Sequence, residues 1–221
     1  MRIAQRLYEG INIGSETTGL ITYMRTDGVQ LSSQAIEELR EEIINRHGKD
    51  YIPQIPRVYK SKAANAQEAH EAIRPTSISR DPEDMSQYLD TEQLKLYELI
   101  WKRTISSQMQ SAELDETSAD ISNKDMSIVF RANGSQVSFP GFFIYRDRED
   151  DKILPKLVEN DKVDLQKADG EQHFTQPPPR YTDASLIKKM EELGIGRPST
   201  YASILQVLIN RSYVEKEKGK H

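Results

Sequence analysis

The run Ile21-Thr22-Tyr23-Met24-Arg25-Thr26-Asp27-Gly28 sets a phenol two residues from a guanidinium, directly before an Asp-Gly turn. In an extended segment successive side chains alternate faces, so Tyr23 and Arg25 are expected to point the same way. A hydroxyl beside a fixed positive charge can act as a nucleophile toward a phosphodiester. The guanidinium favours the phenolate and offers a two-pronged grip on phosphate oxygens. The same pair also fits a half-buried strand carrying a solvated charge, so the assignment depends on what else the chain supplies.

Two further clusters have phosphate-compatible chemistry. In Gln67-Glu68-Ala69-His70-Glu71-Ala72-Ile73-Arg74-Pro75, a helix from Asn65 to Ile73 would put His70 and Arg74 on one face at i and i+4. Glu71 beside His70 reads as a solvated pair. The His70-Glu71 start resembles a zinc hydrolase motif, but position 74 is arginine where a second histidine is required, which excludes that chemistry. In Gly194-Ile195-Gly196-Arg197-Pro198-Ser199-Thr200-Tyr201, two glycines permit a tight turn and Pro198 suits a first helical turn. A helix N-terminus beside Arg197, Ser199 and Thr200 makes an anion site, and equally a plainly capped helix. It lacks the Gly-Lys-Ser/Thr ending of a nucleotide-binding loop, so ATP binding is not expected.

These clusters need elements to hold them. Ser32 or Ser33 caps a predicted helix to about His47, with Ile36, Leu39, Ile43 and Ile44 on one face and Gly48 as its stop. Thr91–Gln110 has the broadest apolar stripe, through Leu94, Tyr97, Ile100, Trp101, Ile105 and Met109. From Ser111 the pattern turns to short alternating stretches at 115–121, 126–132, 136–139, 153–157 and 162–166. Asn133-Gly134 and Asp169-Gly170 supply turns between them. Pro177-Pro178-Pro179 is a stiff connector. Helices are then expected over Asp183–Leu193 and from Pro198 to about Asn210, with a strand at Arg211–Val214. That order is compatible with a winged helix or with an ordinary helical hairpin.

Composition bounds the reading. The 221 residues are 36% hydrophobic and 29% charged, with a mean hydropathy of -0.70, which suits a surface-rich chain of one large or two small domains. Absence of cysteine rules out disulfides and thiolate zinc sites and fits a reducing cytoplasm. No apolar run of about 18 residues marks a membrane span. The net charge of -5 does not advertise nucleic-acid binding. Arg57 to Arg80, however, gathers Arg57, Lys60, Lys62, Arg74 and Arg80 against Glu68 and Glu71, which leaves room for a local basic face.

Taken together, Gly19–Asp27, Gln67–Pro75 and Ala184–Ile204 resemble the core motifs of the bacterial DNA topoisomerase I family, the type IA enzymes. The likeness extends to Ala4–Glu9, Leu99–Trp101 and Gln172–Pro178. The resemblance implies that Tyr23 attacks a single-stranded DNA phosphate and retains the 5′ end as a phosphotyrosine, so that resealing needs no ATP. It implies that Arg25 positions the phosphate, that His70 supports it by hydrogen bonding, and that Arg74, Arg197, Ser199 and Thr200 contact the DNA strand. It also implies an α+β multidomain fold. A mainly helical, winged-helix-like lobe over 1–110 would carry the tyrosine, a β-rich arch segment would span 111–176, and a returning strand-binding domain would begin at 177–221.

The activity implied is relaxation of negatively supercoiled duplex DNA in the bacterial cytoplasm, at the nucleoid. Magnesium is implied too, held by acidic residues of an N-terminal Toprim domain that nothing here matches. The chain therefore reads as a central fragment, nearly inactive alone. Gly28 departs from the family pattern, where serine or threonine is common, and is expected to cost only a hydroxyl. The alternative readings are a non-catalytic winged-helix DNA-binding module and a structural interaction domain without DNA affinity.

Overall fold

The computed structural model describes residues 1–60, 70–147 and 150–217. Among them are six α-helices and two small antiparallel sheets, a mixed α and β architecture. The chain packs as two units interleaved in sequence: Met1–Ser32, Val58–Thr76 and His173–His221 form one, Ser33–Arg57 and Ser77–Gln172 the other. This division crosses the expected boundaries of 1–110, 111–176 and 177–221, because helices of the first expected domain share a unit with the β hairpin. No helix among the described residues is long and apolar enough to cross a membrane.

The first unit contains α1 (Arg2–Glu9), the short pair β1 (Ile11–Asn12) and β2 (Thr17–Thr18), and the late helices α5 (Asp183–Glu192) and α6 (Tyr201–Asn210). Leu7, Leu20, Ile21 and Pro75 are fully buried. The backbone around them is stitched by Leu20 N–H to the Leu7 carbonyl, Thr22 N–H to the Arg74 carbonyl and Thr76 N–H to the Leu20 carbonyl. Residues 19–22 and 74–76 thus run antiparallel, with Ile21 opposite Pro75. The expected strand through Tyr23 and Arg25 reduces to this single bridge, yet the alternation of faces survives: Met24 is buried while Tyr23 is exposed.

The helix expected over Asn65–Ile73 does not form where it can be followed. Residues 65–69 lie outside the described residues, and His70–Ile73 are not helical: the chain bends at His70 and Ile73, with Glu71 bridged to Gln30 between them. At the other end of the unit, Thr182 caps α5 reciprocally with Ser185. Residues 198–200 form a turn, so α6 begins at Tyr201 and not at Pro198. Arg211–Val214 forms turns where a strand was expected, so this stretch supplies no wing.

The second unit is built on α2 (Ser33–His47) and α4 (Thr91–Ser107), with the one-turn helix α3 (Pro82–Met85) between them. Ala35, Leu39 and Ile43 of α2, and Tyr97, Trp101 and Ile105 of α4, recur at four-residue spacing and are buried. Asp90 and Gln93 complete a capping box at the start of α4. Tyr97 donates its hydroxyl to the Arg80 carbonyl at 2.7 Å and Trp101 its indole N–H to Ile78 at 2.8 Å, so both large side chains are buried without an orphan donor.

β3 (Glu113–Ser122) and β4 (Val129–Phe139) form one long hairpin, with a register irregularity at Glu113/Leu114. The expected turn at Asn133-Gly134 lies inside β4, opposite Ser118 and Thr117. The chain reverses instead at 123–128, where Asn123 Oδ1 accepts the Ile128 N–H and Asp125 accepts from Ser127. Gly134 serves a close approach: a Cβ there would stand 2.7 Å from the Lys152 carbonyl oxygen. The strands expected over 153–157 and 162–166 are absent, and no helix or strand forms from 153 to 182.

Candidate active site

Tyr23 follows the bridged segment directly. Thr22 fixes its backbone by donating its hydroxyl to the Ala72 carbonyl at 2.8 Å and accepting the Arg74 N–H at 3.0 Å. The phenol itself is 49% exposed. Its ring meets Tyr8 edge-on at 5.4 Å and the His70 imidazole at 5.8 Å between centroids. Two aromatic neighbours thus restrain the ring, while its hydroxyl makes no hydrogen bond among the described residues. A free, oriented hydroxyl is what nucleophilic attack requires.

Arg25 is anchored at one end. Its Nε donates to both carboxylate oxygens of Asp27, at 2.8 and 3.0 Å. Asp27 is buried, and burial by itself pushes its carboxyl up, but the Arg25 hydrogen bonds and charge, helped by His70, hold it below the usual carboxylate range. The terminal nitrogens of Arg25 have no hydrogen-bond partner among the described residues. The guanidinium therefore presents two donors from a fixed stem, an arrangement suited to a phosphate.

His70 completes the group. Its Nδ1 is buried and makes no hydrogen bond among the described residues. A buried orphan N–H is rarer and costlier than a bare ring-nitrogen acceptor. In the neutral ring the proton therefore belongs on Nε2, which is then the nitrogen that donates. Gly28 lets the turn close on this histidine: a Cβ would fall 2.4 Å from the His70 carbonyl oxygen and 2.8 Å from that of Glu71.

The structure thus brings Tyr23 and His70 into ring contact and ties Arg25 to the same site through Asp27. It treats Arg74 differently, binding that guanidinium to the Glu71 carboxylate and the Pro75 carbonyl. Arg197, Ser199 and Thr200 stand exposed on the turn before α6. The Thr200 hydroxyl accepts the Arg197 N–H at 2.8 Å and Arg197 Nη1 donates to the Gly196 carbonyl at 2.8 Å. Thr200 is thus part of the turn and does not cap the helix with its side chain. Burial first, then the Glu191 and Asp27 carboxylates, push the Tyr201 phenol up, with Arg197 opposing, so the start of α6 feels the charge at Asp27.

Four contributors lie outside the expected set: Tyr8, Thr22, Asp27 and Glu71. Asp27 reads in sequence as a turn residue, although its distance of two from Arg25 is a usable sign. Among the described residues no cluster of three or more acidic or imidazole groups could hold a metal ion. Asp27 and Glu71 are each taken by an arginine. These residues do not fit a magnesium site.

Comparison with known proteins follows the same lines. A family model described as DNA topoisomerase matches residues 1–221. DNA topoisomerase 1 of Rickettsia bellii is 54% identical over 227 residues, covering 100% of this chain and 28% of its own length. DNA topoisomerase 1 of Helicobacter pylori is 48% identical over 99% of this chain and 30% of its own. The structure of full-length topoisomerase I from Thermotoga maritima superposes with a TM-score of 0.81 at 38% identity, covering 99% of this chain and 35% of that one. The chain therefore spans less than a third of the length of these curated relatives.

Proposed function

The chain belongs to the DNA topoisomerase family, matched over its whole length, and on that premise we propose that it is the tyrosine-bearing part of a type IA enzyme that relaxes negatively supercoiled DNA. In this reading the Tyr23 hydroxyl gives up its proton to solvent as its oxygen attacks the phosphorus of a single-stranded phosphodiester. The P–O3′ bond breaks, the departing 3′ oxygen takes up a proton, and the 5′ phosphate stays on Tyr23. After a strand has passed, the 3′ hydroxyl attacks the phosphotyrosine, restoring the phosphodiester and the phenol. The bond energy is kept throughout, so no ATP is consumed.

The observation that carries this reading is the anchoring of Arg25. Asp27 fixes Nε while the terminal nitrogens stay unpartnered among the described residues, two positions from an exposed phenol. Donors fixed in advance stabilise charge developing on the phosphoryl oxygens without reorganising at the moment of reaction. His70, against the Tyr23 ring, would supply a hydrogen bond to the same group. Arg197, Ser199 and Thr200 would hold the incoming single strand. Magnesium, in this proposal, is held by a Toprim domain outside this chain, and the chain alone is nearly inactive.

The test is covalent trapping on a labelled single-stranded oligonucleotide with magnesium, with and without a Toprim-containing fragment. The expected adduct needs both pieces and vanishes in Tyr23→Phe. An adduct that persists in that variant would overturn the reading, as would no adduct once assembly of the pieces is confirmed.

A further inference from the structure

Resting on the strand-cleavage reading above, we infer that Glu71 is the positioning residue of this site and that Arg74 serves Glu71, not the DNA backbone. His70 owes its place to the residue that follows it, since its buried Nδ1 bonds to nothing among the described residues. Glu71 runs parallel to Gln30, and the Ala72 N–H donates to the Gln30 carbonyl at 2.8 Å. The Glu71 carboxylate accepts the Ser32 N–H at 2.9 Å. From the other side Arg74 donates Nε to one carboxylate oxygen at 2.9 Å and Nη2 to the second at 3.3 Å. The Ser32 amide and the side chain of Arg74 thus meet at one carboxylate, one residue from the imidazole, while the neighbouring Ala72 amide ties the backbone to Gln30.

Two arginines of this unit make the contrast. Arg25 commits only Nε and keeps its terminal nitrogens available. Arg74 commits all three nitrogens, the last through Nη1 to the Pro75 carbonyl at 2.9 Å, and its side chain is 17% exposed. To grip a phosphate it would have to release a half-buried carboxylate from its countercharge, a loss the new contact must first offset. Burial tends to raise the Glu71 carboxyl, but Arg74 and the Ser32 amide hold it low, so it stays ionised for this pairing at neutral pH. Gly28 closes the arrangement by admitting the carbonyls of His70 and Glu71 where a side chain would stand.

The experiment compares Glu71→Gln, Arg74→Lys and the double variant in the chain assembled with the Toprim-containing fragment, after thermal unfolding confirms that each folds. Cleavage at saturating oligonucleotide should fall about ten- to a hundredfold in each single variant. It should fall no further in the double, since the two residues act as one unit. Oligonucleotide affinity of the chain alone, and its salt dependence, should not change, and hydrogen exchange at the Ala72 amide should quicken in all three. Arg74→Lys keeping full cleavage, with Arg74→Met lowering the slope of log affinity against log salt by about 0.7, would make Arg74 a phosphate contact and overturn the inference. So would full cleavage by Glu71→Gln. If the unaltered assembly does not cleave, the strand-cleavage reading fails; the Ala72 exchange and the salt slope still decide what Arg74 holds.

Discussion

The rings of Tyr23 and His70 lie 5.8 Å apart and are inclined by 34°, with Tyr8 closing the other approach edge-on. The imidazole therefore packs against the phenol and restrains it. His70→Ala removes that contact but leaves Tyr23, the nucleophile of the proposed reaction. Cleavage by the assembled enzyme should drop about ten- to a hundredfold while the covalent adduct still forms. An unchanged single-turnover rate would deny His70 any part in the reaction.

Gly28 is worth more than the hydroxyl it lacks. A Cβ at this position would meet two backbone carbonyl oxygens, at 2.4 and 2.8 Å, and neither can swing away as a side chain would. Gly28→Ala should destabilise the first unit by about 1–3 kcal/mol and push His70 from Tyr23. Differential scanning calorimetry reads the first effect, and trapping with the Toprim-containing fragment reads the second. A variant with unaltered melting and cleavage would show that the turn yields at no cost.

The local elements were legible where local forces decide them. The α2 and α4 stripes follow from apolar spacing, and α5 is found where expected, although its cap is Thr182 with Ser185 and Asp183 is its first helical residue. The Tyr23/Arg25 pair is visible because alternation needs no partner. What sequence hides is long-range backbone pairing. Glu68–Ile73 carries helix formers, yet His70–Ile73 form no helix because Ala72 bonds to Gln30 and Arg74 to Thr22, partners about 40 and 52 residues away along the chain. Asn133-Gly134 has the strongest turn chemistry in the hairpin, yet its glycine admits Lys152, while the real turn is built by Asn123 and Asp125 with Met126 at a φ of 57°. Arg74 could be named from its motif, but whether it faces DNA or Glu71 is settled only by which bonds it makes.

Asp27 links stability to acid. Its folded carboxyl sits below the ordinary value, so the folded state binds fewer protons there than the unfolded chain. The stabilisation is complete above the unfolded pKa of about 4 and is lost as pH falls through the folded value. Asp27→Asn should lower stability near neutral pH by about 1–3 kcal/mol and flatten the acid limb of the unfolding curve. Equal acid limbs in the two proteins would place the sensitive carboxylate elsewhere.

His47 gives the second unit a separate pH dependence, nearer neutrality. Its Nε2 shares a 2.7 Å hydrogen bond with the Tyr145 hydroxyl, and its ring packs against Tyr51 and Tyr145. Burial first and the Arg46 charge second hold its pKa below the ordinary value. Arg46 stays charged there, bound to Glu42 and Asp81, so it cannot relax to admit a second cation. A depressed histidine pKa means that the unfolded chain takes up the proton first. Stability is therefore fully present above about pH 6.5 and declines as pH falls through the folded value. Thermal unfolding from about pH 7.5 down to about pH 5 should show that decline, and His47→Gln, which keeps a hydrogen-bonding group for Tyr145 but cannot charge, should be flatter across the same window. Superimposable slopes would mean that the Tyr145 contact tolerates the imidazolium and that the burial of His47 has no consequence for folding.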